Sequence, residues 1–324
     1  MLNFAVIGRN FVVDSFLEAA SQHSGVKLLG VYSRKEETAV EFAKKHGAER
    51  TYTRIDAICA DDDIDFVYVA SPNICHEEQT VAILRSGKHV LVEKPAAPTL
   101  VGFERMKQVA KEHGCILMEA MMPVHLPSFK KIKELLPRIG KVRRAEFSFC
   151  QYSSRYDKFK NGIVENAFDP TLCNGALMDI GIYCVEMLAA LFGRPESVDG
   201  NCIFLKNSID ATGTIIAAYP EMLAVLNYSK ITNSALYSQI QGEDGCILFD
   251  KVSRPSKVML KMRDGTEEAF DFSDMKHDMY YELSDFVNAV NGEDITAFSE
   301  YTCNSLDITD KAREKMNIDF TKNH

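Results

Sequence analysis

Over the first third of the chain, short apolar runs rich in β-branched residues alternate with amphipathic stretches. The runs fall at residues 3–7, 26–32, 66–70, 89–92 and 116–118. Between them, segments 12–22, 36–46, 74–86 and 99–113 repeat apolar side chains at the spacing of a helix face. A strand that is apolar throughout, rather than at alternate positions, is covered on both faces. Strands of that kind separated by helices build a parallel sheet. The pattern predicts a doubly wound α/β domain over residues 1–121.

Beyond residue 121 the rhythm changes. A helical stretch at 128–136 precedes a long strand at 142–151, then a polar loop at 152–174 and a helix running from about Gly175 to Phe192. Up to residue 272 the chain is strand-rich, with tight-turn sequences "GEDG" at 242–245 and "RDG" at 263–265, the mark of hairpins. Helical segments at 278–291 and 300–316 close it. Residues 122–324 are expected to form an α+β domain on an open antiparallel sheet.

A chain of 324 residues can bury two such cores. A net charge of −9, with no Lys/Arg run interleaved with aromatics, argues against nucleic acid as a partner. No apolar run of about 18 residues is read as a membrane span, and the N-terminus has neither the basic region nor the small-residue site of a signal peptide. Nine scattered cysteines without a C-x-x-C suit thiols in a reducing cytoplasm and offer neither a disulfide framework nor a metal site. The expectation is a cytoplasmic protein whose partner is a small molecule.

The opening "MLNFAVIGRNFVVDSF" is a strand, a turn and a helix start. A dinucleotide-binding turn carries G-x-G-x-x-G; here Gly8 is followed by Arg9, Asn10 and Phe11, and Asn10 and Val13 stand where the second and third glycines belong. Asn is one of the few residues that tolerate a left-handed backbone, so Asn10 is expected to take the second glycine's conformation. Val13 is expected to move the helix slightly outward, and the helix N-terminus to face a phosphate. The alternative is a plain strand–helix turn. After the second strand, Ser33, Arg34 and Lys35 offer a hydroxyl and two cations where NAD enzymes place a carboxylate. That favours the 2′-phosphate of NADP over NAD, the alternative being a solvated basic loop.

Three further stretches, "ASPNICH" at 70–76, "GKHVLVEKP" at 87–95 and "NGALMDIGIYCVEML" at 174–188, resemble the glucose–fructose oxidoreductase/inositol dehydrogenase (Gfo/Idh/MocA) family over most of the chain. The resemblance implies a Rossmann domain followed by an antiparallel domain whose sheet forms a homodimer or homotetramer interface. It also implies NAD(P)-dependent hydride transfer to or from a sugar, polyol or related cyclic alcohol. Tyrosine at position 183, where many members carry histidine, resembles the branch with glucose–fructose oxidoreductase and the dimeric dihydrodiol dehydrogenases. The "GRN" loop departs from the family's commoner G-x-G.

Lys94, at the carboxyl end of a buried strand where ligands of open α/β sheets bind, is expected to bond the reacting oxygen. Pro95 fixes the turn after it and is compatible with a cis peptide. Glu93 is expected to orient backbone or Lys94. Asp179 and Tyr183, four apart on a helix, share a face. A phenol with the usual pKa near 10 is too weak a base at neutral pH, but a neighbouring ammonium lowers it, which suggests a Lys94–Tyr183 pair across the domain cleft, with Asp179 binding a substrate hydroxyl or orienting the pair. Ala70, Ser71, Pro72 and Asn73 would cradle the nicotinamide ribose. His76 reads as a helix-start residue beside the cofactor, and Glu119 and His125 as residues that line the cleft or serve as hinge or packing. The Met-rich "LMEAMMP" reads as core packing. Two alternatives stay open: trans-dihydrodiol or dicarbonyl chemistry, and a non-catalytic NADP-binding sensor.

Overall fold

A computed structural model of the chain describes residues 1–320. The first unit contains β1 (Leu2–Ile7), α1 (Phe11–Ser21), β2 (Val26–Tyr32), α2 (Glu36–His46), β3 (Arg50–Tyr52), α3 (Ile55–Cys59), β4 (Phe66–Val69), α4 (His76–Arg85), β5 (His89–Glu93), α5 (Leu100–Glu112) and β6 (Leu117–Ala120). The six strands pair in parallel in the order β3-β2-β1-β4-β5-β6. This is the doubly wound sheet expected, with the order reversing between β1 and β4. The sequence pattern passed over β3 and α3, which span three and five residues, too few to show a period.

The second unit contains α6 (Pro127–Leu135), β7 (Val142–Cys150), α7 (Ser154–Lys160), α8 (Ile182–Phe192) and β8 (Ser197–Phe204), β9 (Asp210–Ala218), β10 (Leu223–Ser229), β11 (Ser238–Gly242), β12 (Gly245–Phe249), β13 (Lys257–Met262) and β14 (Glu267–Asp271). Its eight-stranded open sheet runs β14-β13-β12-β11-β7-β10-β9-β8. Every neighbouring pair is antiparallel except β7 and β10, which run parallel, so this is the open, mostly antiparallel sheet expected, with one parallel pair. The chain between these two strands holds α8, which packs against both, and a crossover of that kind brings strands in parallel. One face of the sheet is core, with Ala145, Phe147, Ala224 and Leu226 wholly buried. The other face carries the exposed Ile203, Ile216 and Leu223 among polar side chains such as Arg144, Thr214 and Asn227.

Two expectations need correction. Residues 276–299, with α9 (Met279–Val290), belong to the first compact unit with residues 1–120, so the division at 121/122 omits a return of the chain. The cause is the apolar face of α9, which packs on α1 and β6 and sets Phe286 against Phe66 with ring centroids 5.0 Å apart. The last helix, α10 (Thr296–Met316), lies mostly in the second unit. Secondly, an apolar stretch of the length sought does occur within Pro170–Phe192, but 72% of it is buried inside the protein, as for a core helix.

Candidate active site

In the first unit the site is built where β1 and β4 end side by side. Gly8 turns the chain out of β1 with φ +120°, and a Cβ there would lie 2.5 Å from the carbonyl oxygen of Ala70 and 3.2 Å from Cγ2 of Val13. Only glycine suits that conformation and that gap. The two strand ends thus converge at the switch point of the sheet, where open α/β folds hold their ligands. A side chain at residue 8 would close this cradle.

Asn10 does not take the left-handed conformation. Its backbone is extended (φ −86°, ψ 176°), and its side-chain oxygen accepts from the amides of Val12 at 3.0 Å and Val13 at 3.2 Å, capping α1. The same short polar side chain serves either role, and here the cap prevails. Those two amides are therefore engaged within the protein, so the approach to a phosphate rests on Gly8 more than on the helix N-terminus as a whole. Val13 is wholly buried over Gly8, whereas Arg9, Asn10 and Phe11 are exposed.

After β2, the Ser33 hydroxyl lies 2.6 Å from Thr38 Oγ1, which itself donates to the carbonyl of Lys35 at 2.9 Å. Thr38 has one proton and gives it to Lys35, so Ser33 donates to Thr38 and is left as an acceptor. That weakens its suit as a donor to an anion. Arg34 and Lys35 are exposed, and the Arg34 charge opposes the upward push that burial gives the Cys75 thiol.

The turn that carries Lys94 is held by three other side chains. Glu93, buried, accepts from the Tyr68 hydroxyl at 2.5 Å and from the Lys94 amide at 3.2 Å. Glu119 accepts from the Ala96 amide at 2.7 Å. His76, wholly buried at the start of α4, lies 2.9 Å from the carbonyl of Pro95 through Nδ1 and 2.8 Å from that of Ser71 through Nε2. Its ring ties the 71–73 loop to the Lys94–Pro95 turn, whose peptide is cis. Burial, with the nearby Lys94 charge, pulls the imidazole below its usual pKa against the pull of the two carbonyls. Glu93 and His76 face inward, while Lys94 is half-exposed.

Under this turn α9 contributes Glu282, wholly buried with no hydrogen-bond partner for either carboxyl oxygen. Burial, and then the charges of Glu93, Asp278, Asp285 and Glu119, push it well above the usual carboxylate range. Among the described residues these carboxylates form no group able to hold a metal ion. His125, by contrast, is buried in the second unit, and of the Met-rich stretch Met118 and Met121 are core.

In the second unit the site lies at the start of α8, and the sequence "DIGIY" has a physical reading residue by residue. The helix does not begin regularly: Leu177–Gly181 form a π-helical turn. Asp179 and Tyr183 are nonetheless partly exposed on a segment whose other residues between 175 and 190, Ile180 apart, are buried. Gly181 is required because a Cβ would meet the Tyr228 ring at 2.9 Å. Gly175, with φ +135°, makes room for Asp210, whose Oδ2 accepts from the Leu177 amide at 2.7 Å. Burial pushes Asp210 up to about 6, although that hydrogen bond and the Lys230 charge oppose the rise. The Tyr183 ring packs 5.6 Å from that of Phe149.

Asp179 has a partner that the sequence reading missed. Lys230, which follows β10, sets Nζ 2.8 Å from Asp179 Oδ2. It also donates to the carbonyl of Ala167 at 2.5 Å and stands 4.6 Å from the centroid of the Phe168 ring. A lysine at a strand end ordinarily reads as solvated, so nothing in its sequence context marked it. Glu282 did leave a signal: it shares the apolar helix face of Met279, Leu283 and Phe286.

A family model described as the oxidoreductase family with NAD-binding Rossmann fold, GFO_IDH_MocA, matches residues 2–121, and that of the GFO/IDH/MocA C-terminal domain matches residues 129–248. The scyllo-inositol 2-dehydrogenase (NADP(+)) IolU of Bacillus subtilis (strain 168) is 44% identical over 323 residues, 98% of each chain. The trans-1,2-dihydrobenzene-1,2-diol dehydrogenase of Xenopus laevis is 30% identical over 273 residues, 82% of this chain and 78% of that one. Among solved structures, KijD10, a 3-ketoreductase from Actinomadura kijaniata in complex with NADP and TDP-benzene, superposes with a TM-score of 0.85 at 22% identity, covering 97% of this chain and 98% of that one. At that identity the likeness speaks to fold.

Proposed function

Since the chain belongs to the GFO/IDH/MocA family of NAD(P)-dependent oxidoreductases, acting on CH–OH groups, we propose that it oxidises a cyclic polyol of the inositol class with NADP, using Lys94, Asp179 and Tyr183. The observation that carries the cofactor half is the Gly8 cradle at the β1/β4 switch point, with Arg34 beyond β2. Gly8, Arg9, Asn10 and Phe11 would border the pyrophosphate, Arg34 and Lys35 the 2′-phosphate, and Ala70, Ser71, Pro72 and Asn73 the nicotinamide ribose, with His76 and Glu93 fixing that loop and the Lys94 turn. The polyol half is supported by the 44% identity to the B. subtilis inositol dehydrogenase.

NADP, when bound, would supply the hydride acceptor that oxidation of a carbinol to a carbonyl needs. Tyr183 takes the hydroxyl proton in this direction and returns it in the other. Lys94 bonds the reacting oxygen and its charge favours the ionised phenol. Asp179 accepts from a neighbouring substrate hydroxyl. Oxidation of trans-dihydrodiols is the second reading, supported by the Xenopus relative and by tyrosine at 183. The exposed Ile203, Ile216 and Leu223 on the outer face of the second sheet support a homodimer or homotetramer, which light scattering on the protein and on Ile216→Lys tests: loss of assembly in the variant is expected.

Fluorescence titration with NADPH and NADH, followed by absorbance assays with scyllo-inositol, other polyols and a trans-dihydrodiol, tests the whole reading. NADPH is expected to bind more tightly. Arg34→Ala should weaken it by about 1–3 kcal/mol, the range for a lost charge-assisted hydrogen bond, and leave NADH almost unchanged. Equal losses for both would remove Arg34 from the 2′-phosphate; tight NADPH binding without turnover on any alcohol would favour a sensor.

A further inference from the structure

We infer that Lys230 is a positioning residue for the reaction: a buried ammonium that fixes the Asp179 carboxylate and ties it to the 161–174 loop. The inference rests on the proposed role of Asp179. The ion pair is lopsided. The Lys230 side chain is 3% exposed and that of Asp179 30%, whereas an ordinary surface pair of the same unit, Lys158–Glu165, leaves 55% and 33%. The cation sits inside and the carboxylate reaches the surface of the unit, so the lysine orients Asp179 from within.

The ammonium has few other options. It donates to Asp179 and to the carbonyl of Ala167, and the Phe168 ring lies against it at 4.6 Å. Phe168 belongs to a small cluster with Phe159 and Ile209, so one buried charge holds both the aromatic anchor of the polar loop and the site carboxylate. Leaving a buried ammonium without these partners is costly, and this fixes the geometry of all three groups together. Asp210, buried nearby, is the second carboxylate that feels this charge. A carboxylate held in this way offers a substrate hydroxyl a pre-set acceptor, and misplacing such a group by about 1 Å costs on the order of 10²-fold in rate.

A double-mutant cycle on Lys230→Met and Asp179→Asn, assayed with NADP and scyllo-inositol or whichever alcohol turns over, tests this. Asp179→Asn is expected to lower kcat/KM, and Lys230→Met to lower it by about 10²-fold. The pair should be no worse than the more damaging single variant, because both remove one oriented carboxylate. NADPH affinity, read by fluorescence, should stay within about twofold in all three. Lys230→Arg, which keeps the charge, should recover part of the loss, and that recovery should vanish in the Asp179→Asn background. If Lys230→Met does not fold, the cycle is run with Lys230→Arg and with the double variant, in which both charges are gone. Losses that multiply, or a Lys230→Met enzyme within about twofold of the parent, overturn the inference while the role of Asp179 stands. An Asp179→Asn enzyme with parental kcat/KM overturns that role and the inference with it.

Discussion

Tyr183 and Lys94 carry the sharpest residue-scale expectation. Tyr183→Phe keeps the ring beside Phe149, at a centroid distance of 5.6 Å in the parent, and deletes only the hydroxyl. Cofactor affinity should then change by no more than a factor of a few. Turnover should fall by about 10²–10⁴, the usual worth of a positioned acid–base group. Lys94→Met should cost a similar amount, and the double variant far less than the product, as for residues acting as a unit. Steady-state rates on a substrate whose chemical step limits turnover decide this. Near-parental turnover in Tyr183→Phe would move the proton to another group, Lys94 first.

At the scale of elements, α1 begins on a side chain and not on a glycine. Because Asn10 caps it from an extended backbone, Asn10→Ala should destabilise the protein by about 1 kcal/mol and Asn10→Gly by a few tenths. Were Asn10 left-handed, Asn10→Gly would stabilise, since glycine adopts that conformation without strain. Urea midpoints at constant slope separate the two cases. Gly8 is the position where the left-handed backbone is real, and there the neighbouring Ala70 carbonyl excludes a Cβ. One indispensable glycine, rather than three, is enough to bring the strand ends together.

For the whole molecule, α9 brings an unpaired acid into the first core. Folding raises the pKa of Glu282 above its ordinary 4.5. The native state therefore binds its proton more tightly than the unfolded chain does. The stability this gives is fully present below about 4.5 and lost as pH rises through the raised value. Thermal unfolding of Glu282→Gln should lack that alkaline loss, and Glu282→Met, which removes the unpartnered oxygens, should be more stable by about 1–3 kcal/mol at neutral pH. A Glu282→Met protein of lower stability, with the parent's pH profile, would show that the carboxyl is satisfied in solution. The acid lies among Glu93 and Glu119, which hold the Lys94 turn, and their charges add to the rise that burial gives it.

The hydrophobic pattern by itself determined the alternation of strands and helices, the parallel first sheet, the hairpins of the second and the strand–turn–helix that needs Gly8. Periodicity records which face of an element is apolar, and local turn chemistry records where the chain reverses. Neither records which element covers that face. Tertiary structure alone decided that β10 lies beside β7 in parallel, that α9 returns to the first unit, and that Leu177–Gly181 relax into a π turn over Tyr228. The same limit applies to the site. Asn10 has a side chain fit for a cap or for a left-handed turn, and only the neighbouring amides choose. Lys230 has the sequence context of a solvated lysine, and only burial beside Asp179 and Phe168 gives its charge a direction, because a charge's consequence depends on the water it has lost and the partners it has gained.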